Sequence, residues 1–134
     1  MPLIRWSRHL ELGIYVFDAE HMQLLGLVND LYDAIFDDIN PAAVAAVVTG
    51  MGVFIARHSA HEEKFFHVCG YPDAEAHIAE HRRLSRDIAR FRHRQGCAAE
   101  LAYDLNTFLL GWFTDHILGR DRDYCEHLRK IGIR

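Results

Sequence analysis

The sequence predicts an all-α fold: an up-down-up-down antiparallel four-helix bundle with an N-terminal arm and a short C-terminal helix. Three observations carry that expectation. Apolar residues recur at helical spacing over four long stretches. Short breakers, Asn40-Pro41, Cys69-Gly70-Tyr71-Pro72-Asp73 and Gln95-Gly96, separate them, and short connections favour antiparallel neighbours. The chain, 134 residues and half apolar, is long enough for one good core. No repeat or low-complexity tract disturbs this reading. Residues 1–134 are therefore expected to be a single domain, with an arm over 1–17, the bundle over about 18–119 and a tail over about 121–134.

The elements follow in order. Residues 1–17 hold Pro2, Gly13 and scattered apolar groups (Leu3, Ile4, Trp6, Leu10, Leu12, Ile14, Phe17), the pattern of a packed arm. Asp18 is expected to cap the first helix, roughly 19–38, with Glu20 in its first turn complementing the dipole. His21, Leu24, Leu25, Val28, Leu31, Tyr32, Ile35 and Phe36 form its stripe. Asn40 as N-cap and Pro41 at N1 start the second helix. Its inward stripe is Val44, Val47, Val48, Met51, Phe54, Ile55, His58, Glu62 and Phe65. The third helix spans about 73–94, with His77, His81, Leu84, Ile88 and Phe91 inward. The fourth carries Leu101, Leu105, Phe108, Trp112 and His116 until Gly119 interrupts it. An amphipathic segment over about 121–131 closes the chain.

Composition narrows the function. A net charge of -4 argues against a general nucleic-acid binder. No uninterrupted apolar run approaches a membrane span, and the N-terminus lacks a secretory signal. Cys69, Cys97 and Cys125 are an odd set without Cys-x-x-Cys spacing, which points to free thiols in a reducing cytoplasm. The unusual number is ten histidines.

Helical geometry organises five of those histidines and a glutamate. His58 and Glu62, four residues apart, leave one helix face about 6 Å apart along the axis, so both can reach one metal ion or two adjacent ones. His77 and His81 repeat the spacing. In an antiparallel bundle the start of the first helix (His21), the end of the second, the start of the third and the end of the fourth (His116) share one end. Asp121, five residues past His116, is about 140° away on a continuous α-helix. It joins the cluster only if the helix breaks, and Gly119 is the residue expected to permit that. A lone core histidine is usually satisfied by a hydrogen bond. Five histidines converging with two acids would be very costly to bury without metal. One metal cannot take seven such ligands, but two bridged by both carboxylates can. Mixed nitrogen and oxygen donors suit iron better than the Cys-rich sets of structural zinc.

At this point the sequence resembles the hemerythrin family, specifically its single-domain bacterial members. Trp6, Gly13-Ile14, Asp18-x-x-His21, His58-x-x-x-Glu62-Glu63, Gly70-Tyr71-Pro72, His77-x-x-x-His81 and Trp112-x-x-x-His116-Ile117-x-x-x-Asp121 carry the resemblance. It implies a non-haem di-iron centre with two iron ions and a bridging oxo or hydroxo group. His77, His81 and His116 would hold one iron and His21 and His58 the other, with Glu62 and Asp121 bridging. The iron with two histidines would keep an open position where O2 binds and leaves. Ser59, Trp112, Phe113 and Ile117 would line that position. Ser59 stands where the family usually has Phe, and Phe113 where Leu is more usual.

His9, His61, His67, His93 and His127 match no ligand position and are expected at the surface or just behind the ligands, as is Glu63. The arginines of the third helix (Arg82, Arg83, Arg86, Arg90, Arg92, Arg94) and the acids of the first (Asp30, Asp33, Asp37, Asp38) read as solvated faces. The leading function is reversible O2 binding for storage, delivery or buffering, without enzymatic activity. The alternative is an O2 or redox sensor acting through a partner protein. Related domains are often fused to signalling modules, and the chain ends at Arg134 without one, which favours the carrier. A di-iron oxidase or peroxidase ranks third, because those sites use paired Glu-x-x-His motifs and more carboxylates.

Overall fold

The structure, a computed structural model, describes residues 4–36 and 39–134. After a 3-10 turn at Arg8–Leu10 come α1 (Tyr15–Phe36), α2 (Pro41–Cys69), α3 (Ala74–His93) and α4 (Ala98–Trp112). A π-helical segment, Phe113–Asp121, then runs without a break into α5 (Arg122–Lys130). Helix α1 packs against α2 and α4, and α2 also packs against α3 and α4. This is the expected all-α bundle.

Local chemistry sets the helix ends. The Asn40 side chain accepts the Ala42 N–H at 2.9 Å, with Pro41 as the first helical residue. Gly70 ends α2 in the left-handed conformation (φ 61°), its N–H returning to the Phe66 carbonyl, as a helix-terminating glycine does. One expected cap is corrected. Helix α1 begins at Tyr15, so Asp18 lies inside its first turn. Its carboxylate reaches back to accept the N–H groups of Leu12 (2.7 Å) and Gly13 (3.2 Å). It thereby satisfies arm donors that face the helix start without a backbone partner. The arm is anchored by buried Leu12 and Ile14. Pro2, Leu3, Asp37 and Asp38, and with them the expected end of the first helix, lie outside the described residues.

The core fills the bundle end away from the candidate ligands. Leu24, Leu25, Val28 and Leu31 of α1 meet Val44, Val47, Val48, Met51 and Ile55 of α2, with Leu84, Ile88, Ala102, Leu105 and Leu109 closing the other sides. By length and hydropathy α2 is the one described helix that could cross a membrane. Its apolar stripe is instead committed to this core. Two stripe assignments are corrected. Phe36 is exposed at the last turn of α1, and Phe66, not Phe65, is the buried ring near the end of α2. On an ideal helix Phe65 lies about 20° from His58 and Phe66 about 40° from Glu62, so spacing alone does not separate them; Phe66 is the ring that packs against Tyr71, His77 and Tyr124.

Helix α5 covers the ligand end, burying Tyr124, Cys125 and Leu128. The Tyr124 ring packs 4.7 Å from Phe66 and 5.9 Å from Phe17, centre to centre. That aromatic layer is a lid over the side chains described next.

Candidate metal centre

His21, His58, Glu62, His77, His81, His116 and Asp121 are all buried at one end of the bundle, none more than 2 % exposed. The two carboxylates occupy the middle. Asp121 Oδ2 faces His58 Nε2 at 2.9 Å and His21 Nε2 at 3.3 Å. Its other oxygen, Oδ1, faces His77 Nε2 at 2.8 Å and His116 Nε2 at 3.2 Å. Glu62 Oε1 touches His58 Nε2 and lies 4.0 Å from His81 Nε2, while Oε2 is 3.2 Å from His77 Nε2. One donor atom each from His58, Glu62, His81, His116 and Asp121 fit within 4.8 Å of one another.

Asp121 reaches this cluster by a route the sequence did not show. The helix does not break at Gly119, whose φ is not among the positive ones. Instead the coil widens over Phe113–Asp121. In a π-helix each turn closes on the fifth residue rather than the fourth, so residues five apart come to share a face. His116 and Asp121 are five apart, and the widening cuts the roughly 140° that separates such residues on an α-helix to about 50°.

Outside the cluster, three glutamates orient three imidazoles. Glu20 faces His58 Nδ1 at 2.9 Å, Glu63 faces His81 Nδ1 at 3.0 Å and Glu80 faces His116 Nδ1 at 3.1 Å. A carboxylate can only accept, so each Nδ1 carries the proton and donates it. In the neutral ring each Nε2 is then a bare lone pair aimed at the centre, the arrangement that metal-binding histidines adopt. The inward Nε2 atoms of His58, His77, His81 and His116, both Glu62 oxygens and Asp121 Oδ1 lack hydrogen-bond partners. Lone pairs therefore face lone pairs, and only cations placed among them reconcile the arrangement. A metal fits this donor set.

The titration behaviour expresses the same conflict. Burial, and then neighbouring His116, His77 and His58, push His81 down to about 2. Burial also disfavours the charged form of His116, yet Asp121 and Glu80 hold it up at about 9. Burial and then the Asp121 charge raise Glu62, while His116 and His58 overcome burial to hold Asp121 well below the usual carboxylate range. Neighbours of one kind are thus driven apart, His81 down and His116 up, Glu62 up and Asp121 down.

The sequence matches the family model described as the hemerythrin HHE cation binding domain over residues 12–128. The chain belongs to the hemerythrin family. That family binds non-haem iron and O2. A bacteriohemerythrin of Ralstonia nicotianae is 33 % identical over 98 % of this chain and 93 % of its own length. One of Stenotrophomonas maltophilia is 30 % identical over 96 % and 84 %, and one of Pseudomonas aeruginosa 28 % over the same shares.

In this chain Trp112, Phe113 and Ile117 are buried, and Ser59 is half-buried with its hydroxyl oxygen enclosed and unpartnered. Sequence reasoning underrated four neighbours. The Phe54 ring stacks on His58 (5.4 Å, 11° between planes) and meets the Trp112 edge at 5.6 Å, walling the cluster from the core side. Phe66 backs His77 at 5.1 Å. Glu20 was expected only to complement the helix dipole, and Glu80 drew no attention. Of the histidines outside the motif, His61 hydrogen-bonds Glu20, and His127 donates to the Cys69 carbonyl at 3.0 Å. His9, His67 and His93 are exposed.

Proposed function

We propose that this protein binds O2 reversibly at a non-haem di-iron centre, for storage, delivery or buffering, and is not an enzyme. The two faces of Asp121 are the observation that carries the reading. One oxygen turns to His21 and His58, the other to His77 and His116. A carboxylate shared in this way between two histidine groups suits a bridge. His77, His81 and His116 would then hold one iron and His21 and His58 the other, with Glu62 and Asp121 spanning both. When bound, the iron pair supplies the electrons with which O2 is taken up and given back.

The chain's own groups do the rest. Glu20, Glu63 and Glu80 fix the tautomers of three ligands before any metal arrives, which lowers the ordering cost of binding. Phe54, Trp112, Phe113 and Ile117 supply apolar walls. A set of five imidazoles and two carboxylates favours holding O2 over activating it. Cys69, Cys97 and Cys125 are free, which supports a reducing, cytoplasmic setting.

The test is anaerobic reduction, then O2 addition and removal while the ligand-to-metal absorption bands are followed. Bands that appear and vanish over repeated cycles are expected, with two irons per chain. Glu62→Ala should lose the paired centre, because both Glu62 oxygens lie among the ligands. One zinc in place of iron, or two irons retained by Glu62→Ala, would overturn the metal assignment. Rapid irreversible oxidation would favour the sensor or oxidase instead.

A further inference from the structure

The three outer glutamates are not equivalent. Glu20 is shared between His58 and a second histidine, His61. Glu63 has His81 as its only charged or hydrogen-bonding partner among the described residues. Glu80 alone is held by arginine. Its Oε1 accepts from His116 Nδ1 at 3.1 Å, its Oε2 is bound by Arg120 Nε, and Arg83 Nη2 lies 3.9 Å from Oε1. Glu80 is only 10 % exposed, whereas the Arg120 side chain is 47 % exposed. The carboxylate is thus largely withdrawn from water while its cation reaches in from the surface.

Position adds a second argument. Glu80 sits between His77 and His81 on α3, and Arg120 sits on the π-helical segment, four residues past His116 and next to Asp121. The Arg120–Glu80 pair therefore joins the two elements that carry four of the seven candidate ligands. A carboxylate behind a metal-bound imidazole makes that imidazole a stronger donor. A fixed cation on the carboxylate opposes that push. Two opposed charges, one behind the other, act on a single ligand.

We propose that Arg120 and Glu80 are a positioning pair that orients His116 and sets the reduction potential of the iron it holds, Glu80 lowering the potential and Arg120 raising it. The proposal rests on the di-iron reading above. Electrostatics in a site this enclosed are weakly screened, so single charges behind a ligand are felt at the metal.

The experiment has two arms. In the iron-loaded protein, the reduction potential is measured for the parent, Arg120→Gln, Arg120→Lys and Glu80→Gln. Arg120→Gln should lower it and Glu80→Gln should raise it, while Arg120→Lys, which keeps the charge, stays nearer the parent than Arg120→Gln. Mere loosening of the helix contact would move both neutral variants in the same direction, and that result overturns the proposal. So does the absence of any shift. In the iron-free protein, nitrogen NMR of the His116 ring reports the clasp without metal. The parent should carry its proton on Nδ1, exchanging with solvent several-fold faster in Arg120→Gln. If the parent takes up no iron pair, the di-iron reading fails by itself. The NMR arm then still decides the clasp, and unaltered exchange in Arg120→Gln counts against it.

Discussion

Gly119→Ala is the substitution on which sequence and structure disagree most sharply. The sequence gives Gly119 the task of breaking the fourth helix so that Asp121 can turn inward, and any side chain there should then cost the site. In the structure Gly119 has a negative, helical φ, and a Cβ added to it would meet only the Thr114 carbonyl oxygen at 3.9 Å, an ordinary contact. Alanine therefore introduces no strain. It also removes backbone freedom from the unfolded chain, worth about 0.4–1 kcal/mol in favour of the fold. For a domain of this size the midpoint should rise by roughly 2–5 °C. The assay is thermal unfolding of the iron-free protein beside iron content and O2 cycling of the loaded one. Iron content equal to the parent's and a midpoint equal or higher are expected. Gly70→Ala is the control: at φ 61° the same change forces a left-handed residue and should cost about 1–2 kcal/mol. Loss of iron in Gly119→Ala would refute the π-helical account of how Asp121 is placed.

Two further outcomes follow, one from Phe54, which walls the cluster, and one from the proposal that Ser59 lines the O2 position. Phe54→Ala removes a ring that is 4 % exposed and stacked on His58; urea unfolding should show a loss of about 3–5 kcal/mol, and the oxygenated form should decay faster than in the parent. Ser59→Phe should lengthen the life of the oxygenated form, because the enclosed Ser59 hydroxyl lacks a protein partner and a polar orphan of that kind retains water; a lifetime equal to or shorter than the parent's would sink the idea of a wet pocket.

Most of the bundle was readable because its signals are local. Asn40-Pro41 and Gly70 act on their own helix ends, and the helical recurrence of apolar residues already divides core from surface. What escaped reading depended on backbone hydrogen bonding that side-chain spacing does not encode. Asp121 is about 140° from His116 on an α-helix, and nothing in the side-chain spacing announces that the backbone there is π-helical. Asp18 looked like a cap because caps and first-turn acids share residue types. Its true partners, the Leu12 and Gly13 amides, belong to an arm with no periodicity to read.

The outer glutamates escaped for a different reason, and they follow a rule. Each stands directly beside a ligand on one helix and serves a ligand on the next. Glu20, before His21 on α1, serves His58 on α2; Glu63, after Glu62 on α2, serves His81 on α3; Glu80, before His81 on α3, serves His116 beyond α4. One residue is about 100° of rotation, which carries an adjacent side chain from the bundle axis to the seam with a neighbouring helix. The step is backward on α1 and α3 but forward on α2. Because alternate helices run in opposite directions, both steps turn the same way when viewed from one end. The glutamates thus pass support round the bundle in a single sense. The fourth step would start one residue after His116 and end on His21. That residue is Ile117, buried and apolar, and His21 Nδ1 is buried without a partner. The ring of carboxylates is open at one place, between Ile117 and His21, and on the O2-binding reading proposed above an apolar wall there suits O2 better than another charge.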